Sequence, residues 1–194
     1  MSKTRNPPEA GVCLTLPAAL ASALVRLRDG GWDASRPAVV VDGGSQRLWL
    51  VEEEGGAPLA SWAVSTGAAG FGCVADSGCT PTGLHRIAAC FGADAPLGAV
   101  FKAREFTGRI IPPGEDPGPG DFITTRILWL EGLEPGVNAG AGVDSRERYI
   151  YIHGTPRVDR LGTPASAGCV RMADAAIADL FQRVGEGTLV LLLG

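Results

Sequence analysis

From Pro37 onward, short apolar runs alternate with glycine-rich breaks. AVVVDGGSQRLWLVEEEGGAPLASWAVSTG, residues 38–67, holds β-branched and aromatic runs separated by Gly-Gly and Gly-Ala turn signals, a pattern that predicts three strands in a meander of hairpins. FITTRILWLEG (122–132) and RYIYIHG (148–154) read as two more strands. In the second, Tyr149, Tyr151 and His153 alternate with Ile150 and Ile152, so the histidine ends a strand on the face of two tyrosines. Past residue 169 the period changes. Ile177, Leu180, Phe181 and Val184 recur at helical spacing, with Asp174 as the expected N-cap and Gly185 and Gly187 as the stop. TLVLLL (188–193) closes the sequence as a short buried strand. Upstream, Leu16, Leu20, Leu24 and Leu27 define an amphipathic helix with Arg26 and Arg28 beside them.

These elements predict a mostly β domain with some α structure over residues 37–194, preceded by an N-terminal extension, 1–36, that carries the amphipathic helix. The total of 194 residues suits one such domain. Its 28 glycines and 14 prolines fit short elements joined by many turns. The segment TGRIIPPGEDPGPGD (107–121) is too rich in both for a helix or a central strand. A binding loop or lid and a plain surface excursion are equally compatible with it.

Charge and cysteine content narrow the partners. The formal net charge is −4 and the 17 basic residues form no run, which argues against nucleic acid or an anionic membrane as partner. Nothing approaches the apolar length of a membrane span. Pro7, Pro8, Glu9 and Pro17 interrupt the N-terminal basic-to-apolar pattern, which reads as a retained helix rather than a signal peptide. Cys13, Cys73, Cys79, Cys90 and Cys169 are odd in number and irregular in spacing, unlike a disulfide framework. These features predict a cytoplasmic protein, with a periplasmic one as the alternative. With two histidines and no paired Cys-x-x-Cys spacing, neither a metal nor any other cofactor is expected. The sequence carries no signature of oligomeric state.

Reactive chemistry concentrates in YIHGTPRVDRLGTPASAGCVRM, residues 151–172. A cysteine shortly before a helix, beside Arg171, is placed by both neighbours to favour its thiolate. Gly168 allows the tight turn that aims backbone N–H groups of residues 167–169 at a developing oxyanion. His153, expected exposed at a sheet edge before Gly154, is the candidate base. A packed thiol and a structural histidine are the ordinary readings of Cys169 and His153 taken singly; their place in one contiguous block is what sets them apart. His85, inside a strand-like segment, reads as structural.

That block resembles the catalytic core of the L,D-transpeptidases, the YkuD-type domain, whose members carry a strand ending in His-Gly or His-Ser, a loop, then Ser-His-Gly-Cys followed by Ile or Val and Arg or Asn. The resemblance continues through the strands of residues 39–67, the Ser-Thr-Gly turn at Ser65–Gly67, and TPTG at Thr80–Gly83. It implies a β-sandwich or meander sheet with a helix following the catalytic cysteine loop. It further implies that Cys169 attacks the third-residue carbonyl of a peptidoglycan tetrapeptide stem, expelling D-alanine and leaving a thioester. His153 would take the thiol proton and the Gly154 backbone would orient the imidazole. Gly168 and Cys169 would form the oxyanion hole, Arg171 would hold a substrate carboxylate, Ser166 would brace the loop, and Tyr151 would line the substrate site. Ala167 departs from the family's histidine. Short relatives without an export signal include cytosolic L,D-carboxypeptidases, so hydrolysis is expected over 3-3 cross-linking. A non-catalytic stem-peptide binder is the rival class, and a redox protein using Cys73 and Cys79 a poorer third.

Overall fold

The computed structural model describes residues 18–52 and 58–194; Cys13 and Leu16 lie outside them. Helix α1 (Ala18–Asp29) precedes ten strands and a second helix. The strands are β1 (Ala38–Asp42), β2 (Arg47–Val51), β3 (Ala60–Ser65), β4 (Gly83–Phe91), β5 (Ala99–Lys102), β6 (Glu105–Ile110), β7 (Ile123–Gly132), β8 (Tyr151–Thr155), β9 (Val170–Ala173) and β10 (Leu189–Leu193), with α2 (Asp174–Arg183) between the last two. All ten belong to one sheet in the order β4-β10-β1-β2-β3-β9-β8-β7-β5-β6, and a further β4–β7 pairing closes eight of them into a ring. Closure removes the free edges that an open sheet would present. The β5–β6 hairpin hangs off β7 outside the ring, and β6 is its exposed edge.

Strand alternation explains the layering. Val39 and Val41 point into a core shared with Leu48, Leu50, Val64, Leu128, Leu130, Ile152 and Val190, capped by Ile177 and Leu180 of α2. The alternate residues Ala38, Val40, Trp49 and Leu191 face outward under Leu20, Ala23, Leu24 and Leu27 of α1. The helical spacing of those leucines is thus the footprint of one sheet face. Burying each stabilises by roughly 1.5–3 kcal/mol. A third, smaller cluster of Ala99, Phe101, Ile127 and Tyr151 lies between the hairpin and β7–β8, with Cys169 packed on its margin.

The predicted strands at 38–67, 122–132 and 188–193 form where expected. Four local expectations change. The strand expected over 148–154 begins only at Tyr151, and Tyr149, with φ 55, falls outside it. A strand, β9, intervenes between Cys169 and α2, so the cysteine does not lead directly into the helix. Asp174 is the first residue of α2 and Ala173 the cap position. Residues 107–110 extend the hairpin as β6, an edge strand whose residues are all exposed, and only the segment after Ile110 is loop.

Candidate active site

Parallel pairing of β8 with β9 sets the site. His153 stands opposite Arg171 and Ile152 opposite Val170. Because side chains alternate, Tyr151, His153, Cys169 and Arg171 share the outer face while Ile152, Val170 and Met172 fill the core. Sixteen residues of chain are brought together by one register.

The turn before β9 is braced from within. Ser166 Oγ donates to the Cys169 carbonyl at 2.6 Å and accepts from the Gly168 N–H at 3.1 Å. Thr80 of the TPTG segment donates to the Gly168 carbonyl, 88 residues away in the sequence, at 2.8 Å and accepts from the Gly67 N–H at 2.7 Å, joining the Gly67 and Gly168 turns. Gly168 has φ 123, a conformation other residues rarely adopt, and a Cβ there would meet the Cys79 carbonyl at 3.1 Å.

Cys169 Sγ accepts from the Tyr151 N–H at 3.4 Å and donates to the Tyr149 carbonyl at 3.5 Å. Burial pushes this thiol up to about 11; the Tyr151 N–H opposes that, the Asp121 charge adds to it, and Arg171 and Arg148 oppose it. The helix-dipole activation read from the sequence is absent. Four strand residues separate Cys169 from α2, roughly 13 Å at the usual rise per residue, whereas the dipole acts within about one turn of the helix end.

His153 is 2% exposed and sits in a strand with neighbours on both sides, not at an exposed sheet edge as anticipated. Its Nδ1 meets the Gly154 carbonyl at 2.8 Å. A carbonyl only accepts, so Nδ1 carries the proton and Nε2 presents the lone pair. No hydrogen bond joins Nε2 to another of the described residues, and none joins it to Cys169. Burial lowers the imidazole's affinity for a proton, the Gly154 carbonyl and the charges of Asp121 and Asp174 oppose this, and Arg171 reinforces it. The resting pair is therefore a neutral thiol and a neutral imidazole.

Gly154 admits no side chain: a Cβ would lie 2.4 Å from Asp174 Oδ1 and 2.5 Å from the Thr124 carbonyl. Asp174 Oδ1 accepts from Thr124 and Thr125 hydroxyls, each at 2.6 Å. Both threonines lie where the β7–β8 register shifts, and Thr125 has φ 66. This buried carboxylate ties the start of α2 to the bulge behind the histidine.

Arg171 is 6% exposed. Asp121, at the end of the proline-rich segment, pairs with its guanidinium, while its Nε is buried without a partner. The carboxylate position on Arg171 is thus filled from within the chain. The same segment is held by Arg157, which reaches the Gly118 carbonyl, and by Arg109, which donates to the Pro117 carbonyl at 3.1 Å and stacks on Phe122. Pro112–Pro117 together with Thr155–Asp159 and Ala173–Ala175 line a cavity of about 480 Å³. Within residues 107–121, then, Pro117, Gly118 and Asp121 are tied to arginine side chains, while 107–110 belong to β6. On another side, Ala167, Arg148, Asp76, Gly78 and Ile150 line a smaller cavity of about 270 Å³.

The places of Asp121, Asp174, Thr124, Thr125 and Arg148 around the site have no local sequence signal. Asp174 was visible only as a helix cap, and the others have no spacing relation to His153 or Cys169. Cys73, Cys79, Cys90 and Cys169 are all unpaired thiols, and no cluster suited to a metal ion occurs among the described residues.

A closed sheet that brings a histidine on one strand and a cysteine just ahead of the adjoining parallel strand to one face defines a candidate cysteine acyl-transfer site. The family model of the L,D-transpeptidase catalytic domain (YkuD) matches residues 36–192, and the chain belongs to that family. An L,D-transpeptidase from Mycobacterium smegmatis is 18% identical, with 82% of this chain and 59% of its own covered and a TM-score of 0.48. For an L,D-transpeptidase from Xylanimonas cellulosilytica the values are 21%, 86%, 67% and 0.46. For L,D-transpeptidase 3 from Mycobacterium tuberculosis, solved with a faropenem-derived adduct, they are 18%, 81%, 61% and 0.46. The chain spans about three-fifths of the length of the mycobacterial structures. No curated protein matches it significantly.

Proposed function

We propose that this chain is a cysteine-dependent L,D-carboxypeptidase acting on peptidoglycan tetrapeptide stems in the cytoplasm. The observation that carries the reading is the β8–β9 register, which sets Cys169, His153, Tyr151 and Arg171 on one face. Substrate binding displaces the thiol from the Tyr149 carbonyl, and His153 Nε2 takes its proton. The sulfur attacks the carbonyl of the third residue. Since the Gly168 N–H is committed to Ser166, the Cys169 N–H is the donor of that pair left for the oxyanion. The imidazolium then protonates the departing D-alanine amine, and water, deprotonated by His153, resolves the thioester.

Water as acceptor is favoured by the thiol inventory. Four unpaired cysteines among the described residues suit a reducing compartment, where substrates are soluble stem peptides rather than wall polymer. The alternative, 3-3 cross-linking or attachment of wall proteins, uses the same residues with an amine acceptor. A disaccharide tetrapeptide incubated with the protein and with Cys169→Ala, read by mass, separates them. Loss of D-alanine supports hydrolysis, a dimer supports transfer, and an unchanged substrate sinks both. Intact mass of protein isolated from cells tests location: removal of the first twenty to thirty residues, about one signal peptide, contradicts the cytoplasmic assignment.

A second reading, a stem-peptide binder of little activity, draws on three features: Ala167 where the family has histidine, a thiol held near 11, and no Cys169–His153 hydrogen bond. Binding without turnover by the unmodified protein is its signature.

A further inference from the structure

A guanidinium other than Arg171 is linked through Tyr151 to the nucleophile, and none of the described residues forms an ion pair with it. Arg104 forms the tip of the β5–β6 hairpin with Ala103; their φ values of 70 and 48 are those of a tight hairpin turn. Its guanidinium lies 4.6 Å from the Trp129 ring centroid and 5.3 Å from that of Tyr149, and those two rings stack on each other at 5.8 Å. One nitrogen donates to the Tyr151 hydroxyl at 2.9 Å. Tyr151 and Tyr149 are the residues whose backbone groups contact Cys169 Sγ. The cationic stack is thereby joined to the reacting sulfur through both tyrosines.

Arg171 pairs with Asp121, Arg146 with Glu131 and Arg157 with Asp116, whereas Arg104 forms no ion pair among the described residues. Stacking occupies the face of a guanidinium and leaves its edge donors free. The Tyr151 hydroxyl, already accepting from Arg104, keeps its own proton to donate. Burial keeps that phenol protonated. Tyr149, 54% exposed as a residue, adds the apolar wall of its ring. A flat monoanion bound by a planar fork and one hydroxyl fits this set; a phosphate dianion asks for more positive charge than one arginine brings.

We propose that Arg104, with Tyr151 and Tyr149, forms a subsite for a carboxylate of the peptide that acylates Cys169, distinct from Arg171. The assignment rests on the stem-peptide reading and deepens it. Arg104 sets specificity and takes no part in proton transfer.

The test compares D-alanine release from a tetrapeptide with its free carboxylates and from analogues amidated at one carboxylate at a time, by the unmodified protein, Arg104→Gln and Arg104→Lys. One amidation is expected to lower kcat/KM by about tenfold to a hundredfold in the unmodified protein, the usual size of a charge-assisted hydrogen bond. In Arg104→Gln that acid-to-amide ratio collapses to near one, and Arg104→Lys retains part of it. Turnover with an unchanged ratio in Arg104→Gln overturns the subsite alone. A ratio that moves only when the carboxylate of an added amine acceptor is amidated also overturns it, since the anion then belongs to the acceptor. Calorimetric titration of the same peptides into Cys169→Ala, with and without Arg104→Gln, reads the ratio in binding when turnover is absent. Failure of both proteins to bind either peptide overturns this subsite together with the stem-peptide reading.

Discussion

Two histidines on two strands of one sheet meet opposite fates. His85, on β4, is fully buried; its Nδ1 meets the Gly83 carbonyl at 3.0 Å and its Nε2 the Ser145 hydroxyl at 2.9 Å. His153, on β8, is almost as buried and also engages a main-chain carbonyl through Nδ1, yet its Nε2 has no partner among the described residues. Burial lowers the proton affinity of both, in His85 to about 4. What separates a structural imidazole from a candidate base is therefore not burial or tautomer but the second nitrogen, closed in one and open in the other. Each histidine also has its own companions. His85 sits with Asn138 and Glu134, whose hydrogen bonds to the main chain around Gly83 and Leu84 lock a turn. His153 stands opposite Arg171 in the β8–β9 register, on the face that carries Cys169.

The contrast can be broken by substitution. Cys169→Ala is expected to reduce D-alanine release to background, a loss of about 10⁴-fold or more, with little change in melting temperature. His153→Gln keeps a polar ring-sized group and should lower kcat by about 10²–10⁴-fold, again with the fold intact by circular dichroism. His85→Ala should do the reverse, leaving Ser145 and Gly83 unpaired in the interior and costing about 2–4 kcal/mol in denaturant unfolding, with kcat of the folded fraction preserved. If His85→Ala removed activity without loss of stability, the distinction drawn from the second nitrogen would be wrong.

Acid sharpens it further. The unfolded chain binds a proton at His85 below pH 6.5 and the folded one only below about 4. Stability from this site is thus complete above pH 6.5 and is lost as pH falls towards 4, by about 3 kcal/mol in total. Melting temperature followed from pH 7 to pH 4 should fall, and fall less in His85→Asn. Activity should respond differently. Because burial lowers the His153 value, the acid limb of kcat/KM is expected below pH 6.5, the ordinary histidine range. The smallest expected change is at Ala167, exposed beside a cavity of about 270 Å³. Ala167→His should fold normally and alter kcat/KM by roughly tenfold or less, within the effect of one added polar contact.

Long strands with clear alternation were legible in the sequence. β1, β2, β3, β7 and β10 carry β-branched and aromatic runs between glycine breaks, and α1 and α2 carry helical periods. β9 was not, because four residues, Val-Arg-Met-Ala, are too few to display a period before the helix begins. That omission had a chemical consequence, since it made Cys169 look like a helix-end thiol. The local constellation of Ser166, Gly168, Cys169 and His153 with Gly154 was legible because it is contiguous. The Asp121–Arg171 pair and the Thr124–Thr125–Asp174 cluster were not, because each joins residues about fifty positions apart through sheet register. Tyr149 was expected within a strand; its φ of 55 ends that alternation and turns its carbonyl to the thiol.

In the proposed reaction Cys169, served by His153, forms a thioester with a stem peptide. Intact-mass analysis of the acid-quenched protein after brief exposure to a disaccharide tetrapeptide tests it most directly. An acyl adduct equal to the peptide minus D-alanine is expected, mapped to Cys169, absent in Cys169→Ala and formed far more slowly in His153→Gln. An adduct on Cys73, Cys79 or Cys90, or D-alanine release that persists in Cys169→Ala, would contradict it.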